Sequence, residues 1–228
     1  MRVKINLYIS LYEVTNIERK NEILEVLKKN LHNPNIDNVI ILSEPNDNIS
    51  FQSAKIKKID IQTRPKFSEF SAYLDPGCIN IIINNDIEFP EQSNITWLKH
   101  ISSSDCITLT RYESDGKLFR SDRGDSQDTW IFKGNPDGLK YCDFHMGMPG
   151  CDNRIAYIFF ALGYRVLNPS KSLKTIHHHK SEYRLYSEND RIPGPYLNVK
   201  PTTFLQSFFI KLVIVLLSKI HKQELSIK

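Results

Sequence analysis

Residues 78–86 of the chain read Cys-Ile-Asn-Ile-Ile-Ile-Asn-Asn-Asp, a mostly apolar run that stops abruptly at two asparagines and an aspartate. The run Cys78–Ile83 is short and rich in isoleucine, which predicts a buried β-strand. Similar runs occur at Ile5–Tyr12 and Val39–Leu42, and the segment Asn16–Asn30 between them has apolar residues at mostly helical spacing. Buried strands that alternate with helices are typical of an α/β domain with a mainly parallel central sheet.

The rest of the chain continues this alternation, with a more polar second half. Further predicted elements are strands at Lys55–Ile61, Ile107–Arg111, Trp130–Phe132 and Tyr164–Leu167, and helices at Pro65–Leu74 and Asp152–Leu162. Segment 113–128 is polar and contains two glycines, which predicts a mobile loop. We expect one domain over residues 1–190, a proline-containing linker over 191–202 and an apolar C-terminal helix over 203–228.

Composition narrows the classes of function. Hydrophobic residues make up 40% of the 228 residues and charged residues 25%, proportions that exclude global disorder. The net charge of +4 is too small to indicate a nucleic-acid partner. The four cysteines have no Cys-x-x-Cys spacing, which favours reduced thiols in a cytoplasmic protein. The N-terminal pattern is not that of a signal peptide, and no apolar run reaches the roughly 20 residues of a membrane span.

Polar residues follow the predicted strand at 78–83. Asn84, Asn85 and Asp86 should lie at the carboxyl edge of the sheet, where open α/β sheets bind their ligands. A carboxylate such as Asp86 could hold a divalent cation there, and the cation could neutralise phosphates. The alternative is a simple turn, since asparagine and aspartate are common turn residues.

Asp152 stands at the start of the predicted helix 152–162. An aspartate at this position is expected to cap the helix, and the helix dipole favours its ionised form. An ionised carboxylate at a strand-to-helix junction could act as a general base. Capping alone is the structural alternative.

Three histidines in a row occupy positions 177–179. Because side chains alternate along a strand, His177 and His179 could share one face while His178 points away. Such a pair suits a metal ion or a phosphate, and Arg184 downstream adds a charge whose fork fits phosphate. A solvated polar stretch is the alternative.

A further polar patch surrounds the predicted loop. It could hydrogen-bond a sugar and stack it on an indole, or it could be a surface turn beside a core tryptophan; its members are Arg111, Asp125, Ser126, Asp128 and Trp130. The chain contains no Gly-x-Gly-x-x-Gly, Walker A, Gly-x-Ser-x-Gly or His-Glu-x-x-His motif. Dinucleotide-binding, P-loop, serine hydrolase and zincin functions therefore lose their usual support.

Taken in order over roughly residues 3–187, these motifs resemble those of glycosyltransferases with the GT-A fold, especially small bacterial and viral ones. Asn84 to Asp86 resembles a degenerate Asp-x-Asp motif with asparagine in the first place. Cys151-Asp152 resembles the Glu-Asp motif whose aspartate is the base in inverting members, with cysteine in place of the glutamate. His177 or His179 corresponds to the late histidine that helps to bind metal and diphosphate.

The resemblance implies a GT-A, Rossmann-like fold and a nucleotide-sugar donor. It implies a divalent cation, Mn²⁺ or Mg²⁺, at Asp86 and the histidines, and donor contacts from Asn84, Asn85 and Arg184. The acceptor would be a glycan hydroxyl, as in surface polysaccharide or lipopolysaccharide synthesis. A metal-dependent phosphoester hydrolase and a non-catalytic nucleotide- or carbohydrate-binding module remain alternatives.

The C-terminal segment Thr203–Ile220 is apolar over much of its helical circumference, which a solvated tail would not tolerate. One expectation is a helix that packs back on the domain or on another subunit. The other is a helix in the membrane interface, with Lys211 and later lysines reaching anionic headgroups. The second would suit an enzyme at the inner face of the membrane that acts on a lipid-linked glycan.

Overall fold

The computed structural model describes residues 2–45, 52–179 and 187–214. Within these ranges the strands are β1 (Ile5–Leu11), β2 (Asn38–Ser43), β3 (Ile56–Asp60), β4 (Ile79–Ile83), β5 (Ile87–Glu88), β6 (Asp105–Leu109), β7 (Thr129–Lys133), β8 (Arg165–Leu167) and β9 (Ile176–His177). The α-helices with both ends described are α1 (Ile17–His32), α2 (Phe67–Phe70) and α3 (Cys151–Ala161). Residues 204–214 are also helical and are called the tail helix below.

Seven strands form one twisted sheet in the order β3-β2-β1-β4-β7-β6-β8. The pairs β3-β2, β2-β1, β1-β4 and β6-β8 are parallel, and β7 runs antiparallel to both of its neighbours. The predicted fold class, a mostly parallel sheet flanked by helices, is confirmed. A separate two-stranded sheet pairs β5 with β9, with Ile87 opposite His177.

Alternate residues of the central strands divide between two apolar cores. In β1, Leu7 and Ile9 face one core while Tyr8 faces the other, as the two-residue period of a strand requires. Helix α1 covers the first core through Ile23 and Leu27. Helices α2 and α3 cover the second core through Phe67, Phe70, Ile155 and Phe159. Because both faces are covered, the central strands are almost continuously apolar.

Strand direction determines where the polar residues gather. Strands β1, β2 and β4 are parallel, so their carboxyl ends lie at one edge of the sheet. The turn 84–86 follows β4 directly, and the pairing of β5 with β9 brings residues 177–179 beside it: His178 N donates to the Asp86 carbonyl oxygen at 2.9 Å. The fold therefore joins two motifs that are about 90 residues apart in the chain.

Residues 192–202, part of the predicted linker, run along the domain in hydrogen-bonded contact with it. Ile192 N donates to the Pro149 carbonyl oxygen at 2.9 Å, and Val199 N donates to that of Gly124 at 2.8 Å. These bonds fasten the segment beside the loop that leads into α3. The division into domain, linker and tail stays a prediction.

The tail helix has an inner and an outer face. On the inner face Phe204 stacks on Trp97 with ring centroids 4.4 Å apart, Ser207 is buried, and Lys211 Nζ lies 2.8 Å from Asp105 Oδ2. Packing on the domain, one of the two expectations, is thus observed for this face. The expectation that Lys211 reaches a headgroup is wrong, because the buried Asp105 carboxylate binds its ammonium group.

Candidate active site

A pocket opens at the carboxyl edge of the sheet. Its walls come from the ends of β1 and β4, from α1, from the loops after β3, after β6 and before α3, and from the segment around β9. The lining residues are Ser10, Tyr12, Arg19, Arg64, Asn84, Asn85, Asp86, Arg111, Asp128, Met146, Gly147, His177 and His179. Seven of the residues predicted from sequence are in this set.

Asp86 is the most heavily contacted acid in the pocket. It is buried, and its Oδ2 atom lies 2.6 Å from Arg19 Nη2, 3.3 Å from His177 Nε2 and 3.6 Å from His179 Nδ1. Burial alone would raise the pKa of Asp86, but contacts with the two histidines and Arg19 hold it well below its usual range. The carboxylate is therefore ionised.

Asp86, His177 and His179 can hold a divalent cation. One ligand atom from each lies within 4.8 Å of the other two. The Nε2 atom of His179 is buried and has no hydrogen-bond partner among the described residues. A carboxylate oxygen with two imidazole nitrogens is a ligand set that first-row divalent metals accept. The prediction that His177 and His179 share a face is confirmed, since His178 turns away to Glu88 at 2.7 Å.

Glu113 orients His177 toward the cluster. Its Oε2 atom lies 3.0 Å from His177 Nδ1, and its Oε1 atom accepts a hydrogen bond from Arg111 Nε at 2.9 Å. With the proton on Nδ1 donated to Glu113, His177 would turn its Nε2 lone pair toward a cation bound at Asp86. This is the arrangement in which a carboxylate fixes a metal-binding histidine.

A second network joins three of the predicted residues. Asp128 accepts hydrogen bonds from Arg111 Nη1 at 2.8 Å and from Asn84 Nδ2 at 2.9 Å. Asn85 lines the pocket beside them, and its Nδ2 donates to the Ser10 carbonyl oxygen at 3.0 Å. The side chains of Asn84 and Asn85 therefore tie β4 to the neighbouring strands and fix the turn that carries Asp86.

The other predicted sugar contacts do not line this pocket. Asp125 pairs with Arg123, and the Ser126 carbonyl oxygen accepts a bond from Thr110 at 2.9 Å. Trp130 is completely buried, edge-on to Phe67 with ring centroids 4.8 Å apart. The expectation that its indole stacks on a sugar is wrong, and the alternative of a core tryptophan is observed. Arg184 lies outside the described residues.

Asp152 is not the helix cap that the sequence suggested. Gly150 occupies the N-cap with a φ of +78°, and Asp152 is the second residue of α3. Its Oδ2 atom accepts a hydrogen bond from Gln127 N at 3.0 Å. Burial, assisted by the nearby charge of Asp128, raises the pKa of Asp152 to about 7. The expectation that the dipole keeps it fully ionised is wrong because desolvation outweighs the helix terminus.

Sequence patterns missed several residues of the pocket and Glu113, which contacts the lining residue His177 from outside it. Arg19 lies in the first turn of α1 behind the cap Asn16, and Arg64 lies in the loop after β3, with its guanidinium 5.5 Å from the centroid of the Tyr12 ring. Glu113 was assigned only to a loop. Tyr12 was detectable as the first residue past β1, by the same strand-end rule that located Asp86. The arginines had no such signal, because their partners are distant in sequence.

Comparison with known proteins supports this architecture. The mannosyltransferase PcManGT of Pyrobaculum calidifontis, solved with GDP-Man and Mn²⁺, matches 80% of this chain with a TM-score of 0.52 and 10% identity. The fold is of the GT-A type. This chain spans 59% of the length of that mannosyltransferase. At so low an identity the likeness establishes the fold alone.

Two further solved structures are more distant in shape. A 4-diphosphocytidyl-2C-methyl-D-erythritol synthase of Anaerococcus prevotii covers 93% of this chain and 96% of its own, with 12% identity and a TM-score of 0.47. The galactosyltransferase LgtC, in complex with donor and acceptor sugar analogues, covers 59% of this chain and 58% of its own, with 9% identity and a TM-score of 0.37. No protein family and no curated protein matches the chain with significance.

Proposed function

We propose that this protein is a glycosyltransferase that moves a sugar from a nucleotide-sugar donor to a hydroxyl group of a glycan acceptor. The observation that carries the proposal is the cluster of Asp86, His177 and His179 at the ligand-binding edge of a GT-A-type sheet. The Mn²⁺ and GDP-Man of the mannosyltransferase named above are the precedent for this pairing of cation and donor.

The three residues of the cluster would hold Mn²⁺ or Mg²⁺. A divalent cation held there would offset the charge of the donor diphosphate and so help the nucleoside diphosphate to leave. Arg111 and Asn84, both hydrogen-bonded to Asp128, line the pocket and would contact the donor. Arg184 remains a proposed diphosphate contact from the sequence, as do Asp125 and Ser126 for a sugar.

Asp152 is the proposed general base. It would take the proton from the acceptor hydroxyl while that oxygen bonds to the anomeric carbon and the nucleoside diphosphate departs with the electrons of the broken bond. A pKa of about 7 matches this role at neutral pH. Attack from the side opposite the leaving group inverts the anomeric centre. Asp152 does not itself line the pocket; it accepts a hydrogen bond from Gln127 N at 3.0 Å, and Gln127 precedes the lining residue Asp128 in the chain.

The tail helix supports a lipid surface as a further partner. Its outer face carries five exposed apolar side chains at spacings of three and four residues: Leu205, Phe208, Phe209, Leu212 and Val213. The chain continues beyond residue 214 with three more lysines and one glutamate. The net positive charge of this segment favours contact with anionic headgroups. None of the helices in the described ranges is long and apolar enough to cross a bilayer. A helix lying in the interface would bury this outer face in the acyl boundary.

These elements favour a lipid-linked glycan as the acceptor, in surface polysaccharide or lipopolysaccharide synthesis. The reaction would take place at the cytoplasmic face of the membrane. All four cysteines are free and buried, which suits a reducing compartment.

A thermal-shift panel of nucleoside diphosphates and nucleotide sugars, each with and without Mn²⁺, tests the proposal. We expect at least one nucleotide sugar to raise the melting temperature, and more so with the metal. The best ligand is then incubated with candidate glycan acceptors. Release of phosphate or nucleotide without acceptor would favour the hydrolase, whereas binding without turnover would favour the non-catalytic module.

A further inference from the structure

The most distinctive feature of the pocket is an arginine, Arg19, that forms an ion pair with Asp86, the carboxylate among the candidate metal ligands. Arg19 Nη2 lies 2.6 Å from Asp86 Oδ2, the same oxygen that lies 3.3 Å from His177 Nε2 and 3.6 Å from His179 Nδ1. A divalent ion bound to this carboxylate would sit beside the guanidinium. Two cations so close in a buried site repel each other strongly, because little water screens them.

Arg19 is held in this position by the fold. Its side chain is only 6% exposed, and Nη1 lies 3.3 Å from Glu22 on the next turn of α1. Its Nε–H is buried and has no hydrogen-bond partner among the described residues. The guanidinium therefore borders the pocket with one donor still unused.

A nucleoside diphosphate would change the balance of charge around Arg19. The planar fork of a guanidinium matches the oxygens of a phosphate group. Phosphates in the pocket would supply the negative charge that a second cation requires, and they would give Arg19 a partner other than Asp86. Metal and diphosphate would then each improve the binding of the other.

We propose that the guanidinium of Arg19 competes with the metal for the carboxylate of Asp86. The pocket therefore binds a divalent ion tightly only together with a nucleoside diphosphate. This inference rests on the proposed function for the identity of the anion.

The first test measures Mn²⁺ binding to the full chain by electron paramagnetic resonance, alone and with saturating GDP, UDP or CDP. We expect the Mn²⁺ affinity to rise about 5- to 150-fold with at least one nucleotide, the usual range of coupling between two sites. Equal Mn²⁺ affinity with and without a nucleotide that binds would overturn the inference. If none of the nucleotides binds, the proposed function fails, and the variants below decide the role of Arg19.

The second test removes the charge of Arg19 and measures Mn²⁺ binding without nucleotide. Arg19→Gln should bind Mn²⁺ at least about fivefold more tightly than the wild type, whereas Arg19→Lys should not. The matched control is Arg165→Gln, which removes an arginine from another buried carboxylate, that of Asp105 at 2.7 Å. Arg19→Met replaces Arg19→Gln if the latter does not fold. An unchanged affinity in the neutral variant, or an equal gain in the control, contradicts the proposal.

Discussion

His177 Nδ1 lies 3.0 Å from Glu113 Oε2, on the side of the imidazole opposite Asp86. Burial would lower the pKa of His177, but its contacts with Asp86 raise it overall. The ring is thus held between two carboxylates, and only Nε2 faces the candidate metal position. Glu113 in turn is fixed by Arg111 at 2.9 Å.

Glu113→Ala should weaken Mn²⁺ binding in the presence of donor by about 10- to 100-fold, because His177 loses the group that fixes its orientation and tautomer. Titration calorimetry with Mn²⁺ measures the effect. Glu88→Ala is the matched control, since Glu88 holds the neighbouring His178 at 2.7 Å and not a candidate ligand. Equal losses in the two variants would mean that the cluster is not the metal site.

Asp86→Ala should remove the dependence of donor affinity on Mn²⁺. The variant keeps both histidines but lacks the only carboxylate that the three-residue cluster offers. Calorimetry with the best nucleotide sugar, with and without Mn²⁺, gives the two affinities. If the metal still improves donor binding as much as in the wild type, the assignment of metal and diphosphate to Asp86 is wrong.

Asp152→Asn should lower kcat by about 10²- to 10⁴-fold, the usual contribution of a general base, while donor affinity stays nearly unchanged. In the wild type, kcat/KM should rise with pH through about 7, because burial raises the pKa of Asp152 to that value and only the ionised form accepts a proton. The residual activity of the variant should lack this rise. A wild-type profile that is flat between pH 6 and 8 would remove Asp152 from the role of base.

The raised pKa of Asp152 also predicts an effect on folding stability. Stability should fall as pH rises, whereas activity should rise. The pKa of Asp152 is about 7 in the folded chain and about 3.9 when unfolded. Between these values the folded state binds more protons, so its stability falls as pH rises through about 7. Urea midpoints of wild type and Asp152→Asn at pH 5 and 8 test this sign. The wild type should lose more stability over that interval than the variant, and a gain instead would refute the raised pKa.

The sequence predicted the centre of the site better than its surroundings. Asp86 followed from its place after a buried strand, and the shared face of His177 and His179 followed from strand alternation; both are local rules. Arg19 lies 67 residues from Asp86, and Glu113 lies 64 from His177. No local pattern specifies contacts at such separations, because they depend on which strands become neighbours.

Two predictions failed, one because of the backbone conformation at Gly150 and the other because Trp130 is buried. Asp152 has the right residue type for a cap, but Gly150, with a φ of +78°, is the N-cap two residues earlier. Trp130 stands in a polar neighbourhood of the sequence, yet it lies on β7 in the middle of the sheet and points into the core. Both faces of β7 are buried, with Ile131 in one core and Trp130 and Phe132 in the other, and the sequence alone did not show that the polar neighbourhood ended at this strand.

Phe204→Ala should destabilise the protein by less than the about 3–5 kcal/mol that a fully buried phenylalanine loses, because its ring is only partly buried. Phe204 stacks on Trp97 at 4.4 Å and anchors the inner face of the tail helix. Leu205→Ala, one residue later on the outer face, is the control and should change the free energy of unfolding by less than about 0.5 kcal/mol. Equal effects would show that the helix does not rest on the domain through Phe204.

The outer face of the tail helix gives the sharpest test of membrane binding. Phe208 and Phe209 are 59% and 54% exposed, so the double substitution Phe208→Glu and Phe209→Glu should leave the melting temperature nearly unchanged. It should release the protein from vesicles that contain anionic lipid, because the apolar face and its attraction to negative headgroups are both lost. Activity on a short water-soluble acceptor should persist, since the pocket contains neither residue. Deletion of all residues after Pro201 should have the same effect on vesicle binding. If the full-length protein does not sediment with such vesicles at low salt, the lipid partner is wrong and the outer face must be covered by another protein surface.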